Sequence, residues 1–438
     1  MDDIKTTIHG DATSDQIKAI DHVGSHARLL AGPGTGKTKT LTRRVLSLIL
    51  QHNADPETIL LLTFTRLAAA QLKDEIKKVL EPLGKATPQV STLHSFALRQ
   101  ILYNSSRVDA LPRPIRIADD WEERHVIQED LKRVLNLKEI AEVQKLINQL
   151  STDWETLRVD EIGWEQQFPN PAFLGAWRGH KEQYGETLRA ELVYQLKKQL
   201  NQNRDFQLDK EYKHILIDEY QDLNACDLAV VNELAKRGAE LFVAGDDDQS
   251  IYRWRGADIR IIRGFKNDFA KSRIVKLEQN YRSSGNVVRT ALAVIKPSRE
   301  REPKELFTTN PPGTPVKVVA TRDEKDEGSW VVNAIQNAMA KGTPPNEIAV
   351  FYRIHAQSRV IEEALRSHAI PYQIIGGMRF FDRAEVKDVL AYLRVLVNPT
   401  SDVDLLRIIN VPARQIGATT VNRLVLQATT TDLSLIHI

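Results

Sequence analysis

The chain has 438 residues, and at roughly 150 residues per domain this length predicts about three domains. Hydrophobic residues make up 42% and charged residues 27%, and the 21 glycines and 18 prolines are too few for a collagen-like or low-complexity chain. Lysine and arginine number 60 against 58 aspartates and glutamates. The resulting net charge of +2 argues against a uniformly basic surface, but local basic patches can still bind nucleic acid.

Cysteine content and hydropathy narrow the class of protein further. The single cysteine, Cys226, excludes an intrachain disulfide framework and a cysteine-rich zinc site. No apolar run approaches the roughly 20 residues of a membrane-spanning helix. The first residues, Met1 to Lys5, are acidic and lack the features of a signal peptide. We therefore expect a cytoplasmic protein.

The first predicted elements alternate short apolar runs with helical segments, as in a parallel sheet flanked by helices. The predicted strands are residues 27–31, 59–64, 215–217 and 241–244. Residues 104–200 differ, because charged residues recur there at helical spacing and the segment holds four of the six tryptophans. We interpret this segment as a mostly helical insertion whose tryptophans pack in its core.

A second alternating stretch follows. Residues 316–319, 348–352 and 372–375 are predicted strands, and helices are predicted near 330–340, 356–368 and 383–397. This pattern predicts a second α/β unit.

The strongest local motif lies directly after the first strand, where Ala31-Gly32-Pro33-Gly34-Thr35-Gly36 leads into Lys37-Thr38 and a helix. Glycines allow backbone N–H groups to approach phosphate oxygens, and the helix N-terminus adds partial positive charge. Lys37 is suited to neutralise β- and γ-phosphate charge, and the Thr38 hydroxyl to ligate Mg²⁺. Ala31 stands where the strict pattern has glycine, but a small residue still fits.

A pair of carboxylates follows the apolar strand 215–217. Asp218 is placed to hold Mg²⁺, and Glu219 to polarise the water that attacks the γ-phosphate. Together with the phosphate loop upstream, these residues appear in the order that a P-loop NTPase requires.

The segment after the next strand, residues 245–256, combines three aspartates with aromatic and basic residues. The aspartates lack the alternating spacing and final glutamate of an EF-hand, which excludes that calcium loop. Tyr252 and Trp254 are each followed by an arginine, and such aromatic and guanidinium groups form stacking platforms for single-stranded bases.

These segments together resemble the superfamily 1 DNA helicases of the UvrD/Rep/PcrA type. The resemblance covers residues 12–428 and includes further segments in the same order: Asp15-Gln16, Thr63-Phe64-Thr65, Ser91-Thr92-Leu93-His94-Ser95-Phe96, Gln279-Asn280-Tyr281-Arg282-Ser283, Gln357-Ser358-Arg359 and Ile370–Gly377.

The resemblance implies a role for particular residues. Catalysis would use Lys37, Glu219, Gln249 as a γ-phosphate sensor, and Arg282 as a transition-state arginine. ATP would be held by Gln16, which reads adenine, by residues Ala31, Gly32, Pro33, Gly34, Thr35, Gly36, Lys37, Thr38 and Lys39, by Tyr281, which stacks on the base, and by Arg282. Lys39 replaces an arginine that is common in relatives. Mg²⁺ would be bound by Thr38 and Asp218, and DNA by Phe64, Tyr252, Trp254 and Arg255.

The same resemblance implies the fold class and domains. We expect an α/β protein with two RecA-like P-loop NTPase domains, the second incomplete: residues 1–103 and 200–278, then 279–398. A mostly helical insertion would span 104–199, and the start of another 399–438. The partners would be single-stranded DNA and duplex junctions, with 3′→5′ movement. The family's last two motifs are absent, so we expect a truncated chain with weak activity, whose residues 433–438 are artefactual.

Two other interpretations remain open. One is the motor part of a helicase–nuclease fusion. The other is a non-motor module that binds ATP and DNA, although the presence of Asp218, Glu219, Gln249 and Arg282 favours a motor.

Overall fold

A computed structural model describes residues 2–105, 111, 115–253, 256–298, 301–354, 356–375, 384–431 and 433–438. Their contacts divide the chain into two compact units. The first unit comprises Met1–Thr314, Thr400–Leu406 and Gly417–Ile438, and the second Pro315–Pro399 and Arg407–Ile416. Within the described part of the chain, no helix is both long and apolar enough to cross a membrane.

The first unit is built on a parallel sheet of six strands. These strands are β1 (Ala27–Ala31), β2 (Ile59–Thr63), β3 (Gln89–Thr92), β6 (His214–Ile217), β7 (Glu240–Gly245) and β8 (Arg273–Leu277), and β4 (Arg116–Ile117) pairs separately with β5 (Glu186–Thr187). The order across the sheet is β3-β2-β6-β7-β1-β8. The sequence predicted β1, β2, β6 and β7 but missed β3 and β8. Because all six strands are parallel, the loops after β1, β6 and β7 emerge at one edge of the sheet.

Helices cover both faces of this sheet, which explains why β1 and β2 are buried along their whole length. They are α1 (Asp2–Ile8), α2 (Ser14–Ile20), α3 (Lys37–Leu50), α4 (Arg66–Leu80), α5 (Leu93–Tyr103), α11 (Arg189–Gln202), α12 (Ala225–Lys236) and α13 (Ile259–Asp268). Helix α14 (Gly285–Ile295) follows β8 and is mostly exposed. One apolar core lies on each face of the sheet.

The buried Arg44 fixes α3 against the sheet. Its Nη1 lies 3.4 Å from the carbonyl oxygens of Ala19 and Ile20, and its Nη2 donates to Glu240 at 2.9 Å. The guanidinium carbon also lies 4.5 Å from the centre of the Phe242 ring. These contacts link α3 to the end of α2 and to β7.

Residues 120–184 are helical and form a core of their own. Their helices are α6 (Asp120–Glu122), which continues through a π-helical turn Glu123–Ile127 into α7 (Gln128–Val134), α8 (Ile140–Glu155), α9 (Trp164–Gln167) and α10 (Pro171–Tyr184). Trp154 and Trp177 are buried in this core and Trp164 packs against it, as predicted for packing residues.

A group of buried ionisable side chains lies beside this core. His180 is fully buried, with its Nδ1 2.7 Å from Asp130 and its Nε2 3.3 Å from Glu186. Burial alone would lower the pKa of His180, but the hydrogen bonds to these two carboxylates outweigh it and raise the pKa. We refer to His180, Asp130 and Glu186 as the His180 cluster.

The second unit contains helices but not its predicted strands. The predicted helices are confirmed as α15 (Glu324–Ala340), α16 (Ala356–Ser367) and α17 (Ala384–Val397). Residues 316–319, 348–352 and 372–375 form no strand, so that prediction is wrong for this structure. A strand is stabilised by bonds to a neighbouring strand, and these segments pair with none among the described residues. Val318 and Phe351 are almost fully exposed.

The remaining helices are α18 (Asp402–Ile408) and α19 (Ala418–Thr431). The final residues include a 3₁₀ turn, Leu435–His437, which the sequence did not predict, and Leu435 packs with Val425 and Ala428.

Candidate functional site

The loop between β1 and α3 has the backbone of a phosphate-binding loop. Gly34 and Gly36 have φ angles of +68° and +83°, a region that favours glycine, and α3 begins immediately afterwards at Lys37. The Thr35 hydroxyl donates to the Gly32 carbonyl oxygen at 2.7 Å and stabilises the turn. A Cβ atom at Gly34 would lie 2.6 Å from Asn280 Nδ2, so the loop also needs glycine for space. Its N–H groups and the α3 N-terminus therefore suit an anion.

The carboxylates after β6 meet the lysine of this loop. Lys37 Nζ lies 3.4 Å from Asp218 Oδ1 and also contacts the Glu219 carboxylate. Burial opposes the charge on Lys37, but the negative charges of Asp218 and Glu219 outweigh it and raise the pKa. Burial likewise raises the pKa of Asp218, although Lys37 offsets part of the shift. We refer to Lys37, Asp218 and Glu219 as the cavity cluster.

Glu219 has a strained backbone. Its φ of +53° lies in the left-handed region, which is unusual for a residue with a Cβ atom. Such strain persists only where the surroundings impose it, and it recurs at functional sites. Here the turn aims the Glu219 side chain toward Lys37.

A cavity of ≈ 580 Å³ opens beside the phosphate loop, a volume typical of a small-molecule site. It brings together most of the predicted nucleotide-site residues: Gly32, Pro33, Gly34, Gly36, Lys37, Thr38, Lys39, Glu219, Gln249 and Arg282. Glu75, which the sequence analysis missed, also lines it. Residues from five separate segments thus surround one space of suitable size for a small charged ligand.

Five predicted nucleotide-site residues do not line this cavity: Gln16, Ala31, Thr35, Asp218 and Tyr281. They lie around it instead. Ala31 ends β1, and Gln16 donates from Nε2 to the Thr35 carbonyl oxygen at 3.1 Å. Tyr281 donates its backbone N–H to the Gly34 carbonyl oxygen at 2.9 Å, while its ring is about half exposed.

Lys39 is engaged by an acidic residue at the rim of the cavity. Its Nζ lies 2.7 Å from an oxygen of Asp11, which also contacts Arg43. The hydrogen bonds from Lys39 and Arg43 hold the pKa of Asp11 well below its usual range. Lys39 is therefore placed at the cavity, but its charge is already paired.

Asn280 is a site residue that sequence reasoning missed. Its buried side chain donates to the Pro33 carbonyl oxygen at 2.6 Å and accepts from the N–H groups of Arg282 and Ser283 at 3.0 and 2.8 Å. Asn280 thereby holds the turn that carries Arg282 against the phosphate loop. The signal was available, because an asparagine directly before a turn commonly caps it in this way.

A chain of side-chain bonds joins Glu219 to Gln249. Gln221 donates from Nε2 to Glu219 at 2.7 Å and accepts from the N–H of Asp246 at 3.0 Å. Gln249 donates from Nε2 to Asp246 at 2.7 Å. Glu219 and Gln249, which the sequence predicts to act in ATP hydrolysis, are thus linked through Gln221 and Asp246, for which it predicts no role.

The predicted nucleic-acid residues are described only in part. The rings of Phe64 and Tyr252 have centroids 4.9 Å apart and planes inclined by 34°. Phe64 also lines a second cavity, of ≈ 420 Å³, with Arg66 and His94. Trp254 and Arg255 lie outside the described residues. The structure therefore brings two of the four residues together.

The fold and the site define a class. A parallel α/β sheet with a phosphate loop after β1, and with a carboxylate pair after β6 that faces the same lysine, is the architecture of a P-loop NTPase with a RecA-like core.

Comparison with known families agrees and goes further. The model of the UvrD/REP helicase N-terminal domain matches residues 12–270, and that of the UvrD-like helicase C-terminal domain matches residues 275–437. The chain belongs to the UvrD/REP helicase family. The two matches support two RecA-like domains, which confirms the predicted fold class, although the strands predicted in the second unit are not formed.

Similar proteins include three that are named ATP-dependent DNA helicase PcrA. The protein from Bacillus subtilis is 35% identical over 440 residues, which cover 96% of this chain and 58% of the relative. Those from Staphylococcus epidermidis and Staphylococcus aureus are 33% and 32% identical over 430 and 419 residues, covering 96% and 94% of this chain. The chain spans 59% and 57% of the length of these two curated relatives.

Proposed function

We propose that the protein is an ATP-dependent DNA helicase that couples hydrolysis of Mg²⁺-bound ATP to 3′→5′ movement along single-stranded DNA. The observation that carries the proposal is the cavity into which the phosphate loop, Lys37, Glu219, Gln249 and Arg282 all project. The PcrA relatives are named ATP-dependent DNA helicases, which supports the same activity. Single-stranded DNA and duplex junctions are the proposed partners.

ATP binding would use the phosphate loop and Lys37. In the structure Lys37 is paired with Asp218 and Glu219. A triphosphate carries more negative charge than these carboxylates, and would replace them as the main partner of the Lys37 ammonium. Gln16 and Tyr281, which contact the loop, are proposed to hold the adenine, with Lys39 at the rim.

The residues fit a magnesium ion. The Thr38 hydroxyl lines the cavity, and the Asp218 carboxylate lies beside Lys37, so both donors are the hard oxygen ligands that Mg²⁺ prefers. When bound, Mg²⁺ neutralises charge on the β- and γ-phosphates.

Hydrolysis would then depend on Glu219, Gln249 and Arg282. Glu219 is proposed to orient the attacking water and to accept its proton. Gln249 is held by Asp246 and lines the same cavity, where it would contact the γ-phosphate. The Arg282 guanidinium would stabilise the charge that develops on the transferred phosphoryl group.

DNA binding would use stacking, which tolerates any base sequence. The paired rings of Phe64 and Tyr252 support this proposal, and Trp254 with Arg255 is proposed to extend the platform. The proposed domain limits are residues 1–103 with 200–278, 104–199, 279–398 and 399–438.

The ATPase proposal is tested by Glu219→Gln. This change keeps the size of the side chain and still allows the hydrogen bond from Gln221, but it removes the proton acceptor. We expect ATP affinity to stay within about twofold while DNA-stimulated phosphate release falls at least about 100-fold. Glu165→Gln, at an exposed glutamate outside the cavity, is the matched control. Equal phosphate release by wild type and Glu219→Gln contradicts the assignment, and binding without turnover by the wild type favours the non-motor module.

The DNA proposal is tested by Tyr252→Leu. Loss of one stacking ring should weaken binding of a fluorescent oligothymidylate by about 1–3 kcal/mol, measured by anisotropy at fixed salt, with unchanged ATP affinity. Tyr103→Leu, at an exposed tyrosine on α5, is the control. Equal losses in the two variants would rule out a stacking role for Tyr252.

A further inference from the structure

The segment that follows α14 returns to the edge of the sheet beside β8. The Phe307 N–H donates to the Glu278 carbonyl oxygen at 3.0 Å, and the Asn280 N–H donates to the Phe307 carbonyl oxygen at 2.7 Å. Residues 301–307 are thereby held next to the turn that carries Arg282. This return segment directs two long side chains, those of Arg301 and Lys304, toward the loop after β7.

Lys304 is buried among three carboxylates. Its Nζ contacts Asp246, and lies 2.6 Å from an oxygen of Asp247 and 3.0 Å from one of Asp248. The Lys304 side chain is only 3% exposed, and those of Asp246 and Asp247 are fully buried. Burial opposes the charge on Lys304, but the neighbouring carboxylates outweigh it and raise the pKa. The Lys304 ammonium is therefore a cation that balances the negative charge of the three aspartates.

Asp246 shares its carboxylate between Lys304 and Gln249. Oδ1 of Asp246 accepts from Lys304, while Oδ2 accepts from Gln249 Nε2 at 2.7 Å. The backbone N–H of Asp246 also donates to Gln221, which in turn donates to Glu219. The Asp246 carboxylate thus orients Gln249, while the backbone of Asp246 holds Gln221 beside Glu219.

We propose that Lys304 is a positioning residue for γ-phosphate recognition: by fixing the Asp246 carboxylate, it orients Gln249. This inference rests on the proposed function, since it assigns a role at the ATP site. It makes the return segment, which is 58 residues from Asp246 in the chain, part of the reaction machinery. Lys304 acts through Asp246 and need not touch the nucleotide.

The chain offers a matched control in Arg301. This residue lies on the same return segment and donates to Asp248 from Nε and Nη2, at 3.2 and 2.8 Å. The carboxylate of Asp248 bonds Arg301 and Lys304, whereas Gln249 bonds Asp246. Removal of Arg301 therefore breaks an ion pair with the same acidic run but leaves the contact between Asp246 and Gln249 intact.

The experiment compares the affinities of the 438-residue chain for two probes, Mg²⁺-ADP and Mg²⁺-ADP with aluminium fluoride, by titration calorimetry. Aluminium fluoride stands in for the transferred phosphoryl group. The dissociation constant for Mg²⁺-ADP divided by that for Mg²⁺-ADP with aluminium fluoride therefore isolates γ-phosphate recognition. For Lys304→Met we expect this ratio to fall about tenfold with ADP affinity changed less than about twofold, because one hydrogen bond to a charged group is misplaced. Arg301→Met should keep the wild-type ratio.

A thermal unfolding curve shows whether Lys304→Met folds. If it does not fold, a second variant tests the proposal instead. Lys304→Arg keeps the charge, but a planar guanidinium cannot place one nitrogen among three carboxylates. We expect its ratio to fall about threefold, between those of the wild type and Lys304→Met.

The outcomes separate the inference from the function. If the wild type prefers aluminium fluoride but both Lys304 variants retain that preference, or if Arg301→Met loses it equally, Lys304 only stabilises the fold and the inference is overturned. If the wild type binds neither probe, or shows no preference between them, the proposed ATPase function itself fails.

Discussion

Two groups of paired charges in the first unit differ in what surrounds them. In the cavity cluster, Lys37 pairs with Asp218 and Glu219 beside a cavity of ≈ 580 Å³. In the His180 cluster, the imidazole lies between Asp130 and Glu186, and none of these three side chains is more than 6% exposed. The ion pairs are chemically similar, but Lys37 itself lines its cavity, whereas the His180 side chain is fully buried and Asp130 alone of its partners reaches a cavity, of ≈ 460 Å³.

The difference shows how surroundings decide the use of an ion pair. A lysine beside a cavity can exchange a carboxylate partner for a phosphate, because the released carboxylate can be solvated there. A sealed pair has no such alternative, since a charge left alone in a dry interior is strongly destabilising. We therefore expect changes in the His180 cluster to affect stability, and changes in the cavity cluster to affect ligand binding.

The largest effect should follow His180→Phe. Phenylalanine keeps a ring that can stack beside Trp177 and Tyr184, but it leaves Asp130 and Glu186 without their shared partner. We expect the free energy of unfolding, measured in urea at pH 6, to fall by about 3–5 kcal/mol. His52→Gln at an exposed histidine should change it by less than about 0.5 kcal/mol. A loss from His180→Phe as small as that of the control would break the comparison.

Lys37→Met should have the opposite profile. Loss of the ammonium removes a charged hydrogen-bond donor to phosphate, so we expect ATP binding to weaken by about 1.5–3 kcal/mol. The free energy of unfolding should change by less than about 1 kcal/mol, since water can enter the cavity beside Glu219. Calorimetric titration and urea unfolding of the same preparation check both values. A stability loss equal to that of His180→Phe would show that the cavity cluster is also sealed.

The smallest effect concerns Asp222, which combines features of both groups. It lines the second cavity, but its Oδ1 is buried without a hydrogen-bond partner. Burial, followed by the charge of Glu219, raises the pKa of Asp222 to about 7. The folded state then holds a proton that the unfolded state releases near its ordinary pKa of 3.8. The contribution of Asp222 to stability is therefore expected to fall as the pH rises from about 4 to about 7, and to level off above that.

Asp222→Asn should remove this fall. We expect the variant to gain about 1–2 kcal/mol relative to the wild type when urea unfolding at pH 8 is compared with pH 5 in metal-free buffer. Parallel pH profiles for the two proteins would mean that Asp222 titrates normally.

The two groups also differ in how visible they are in the sequence. Lys37 and the pair Asp218 and Glu219 each belong to a short motif beside an apolar strand, so adjacency in the chain reveals them. Asp130 and His180 are 50 residues apart, and no spacing rule connects them. The role of Lys304 is hidden for the same reason, because it depends on a contact with Asp246 made only after folding. For Asn280 the local capping of the turn could be predicted, but its bond to Pro33 could not.

The strands show a related limit. Apolar runs predicted β1, β2, β6 and β7, whose residues are buried on both faces of the sheet, but the more polar runs of β3 and β8 gave too weak a pattern. Similar apolar runs predicted strands at residues 316–319 and 348–352, but these segments form no strand. The residue types of a segment indicate its propensity for extended structure, but a strand also requires a neighbouring strand to which it can hydrogen-bond.

The anchoring of Arg44 has a mechanical consequence. Helix α3 carries the phosphate loop at its first turn, and Arg44 clamps the same helix to carbonyl groups of α2 and to Glu240 on β7. If α3 moved along the sheet, the Arg44 guanidinium would lose these partners while it is still buried away from water. Arg44 therefore fixes the position of the phosphate loop relative to the sheet, because the loop moves only if this helix does.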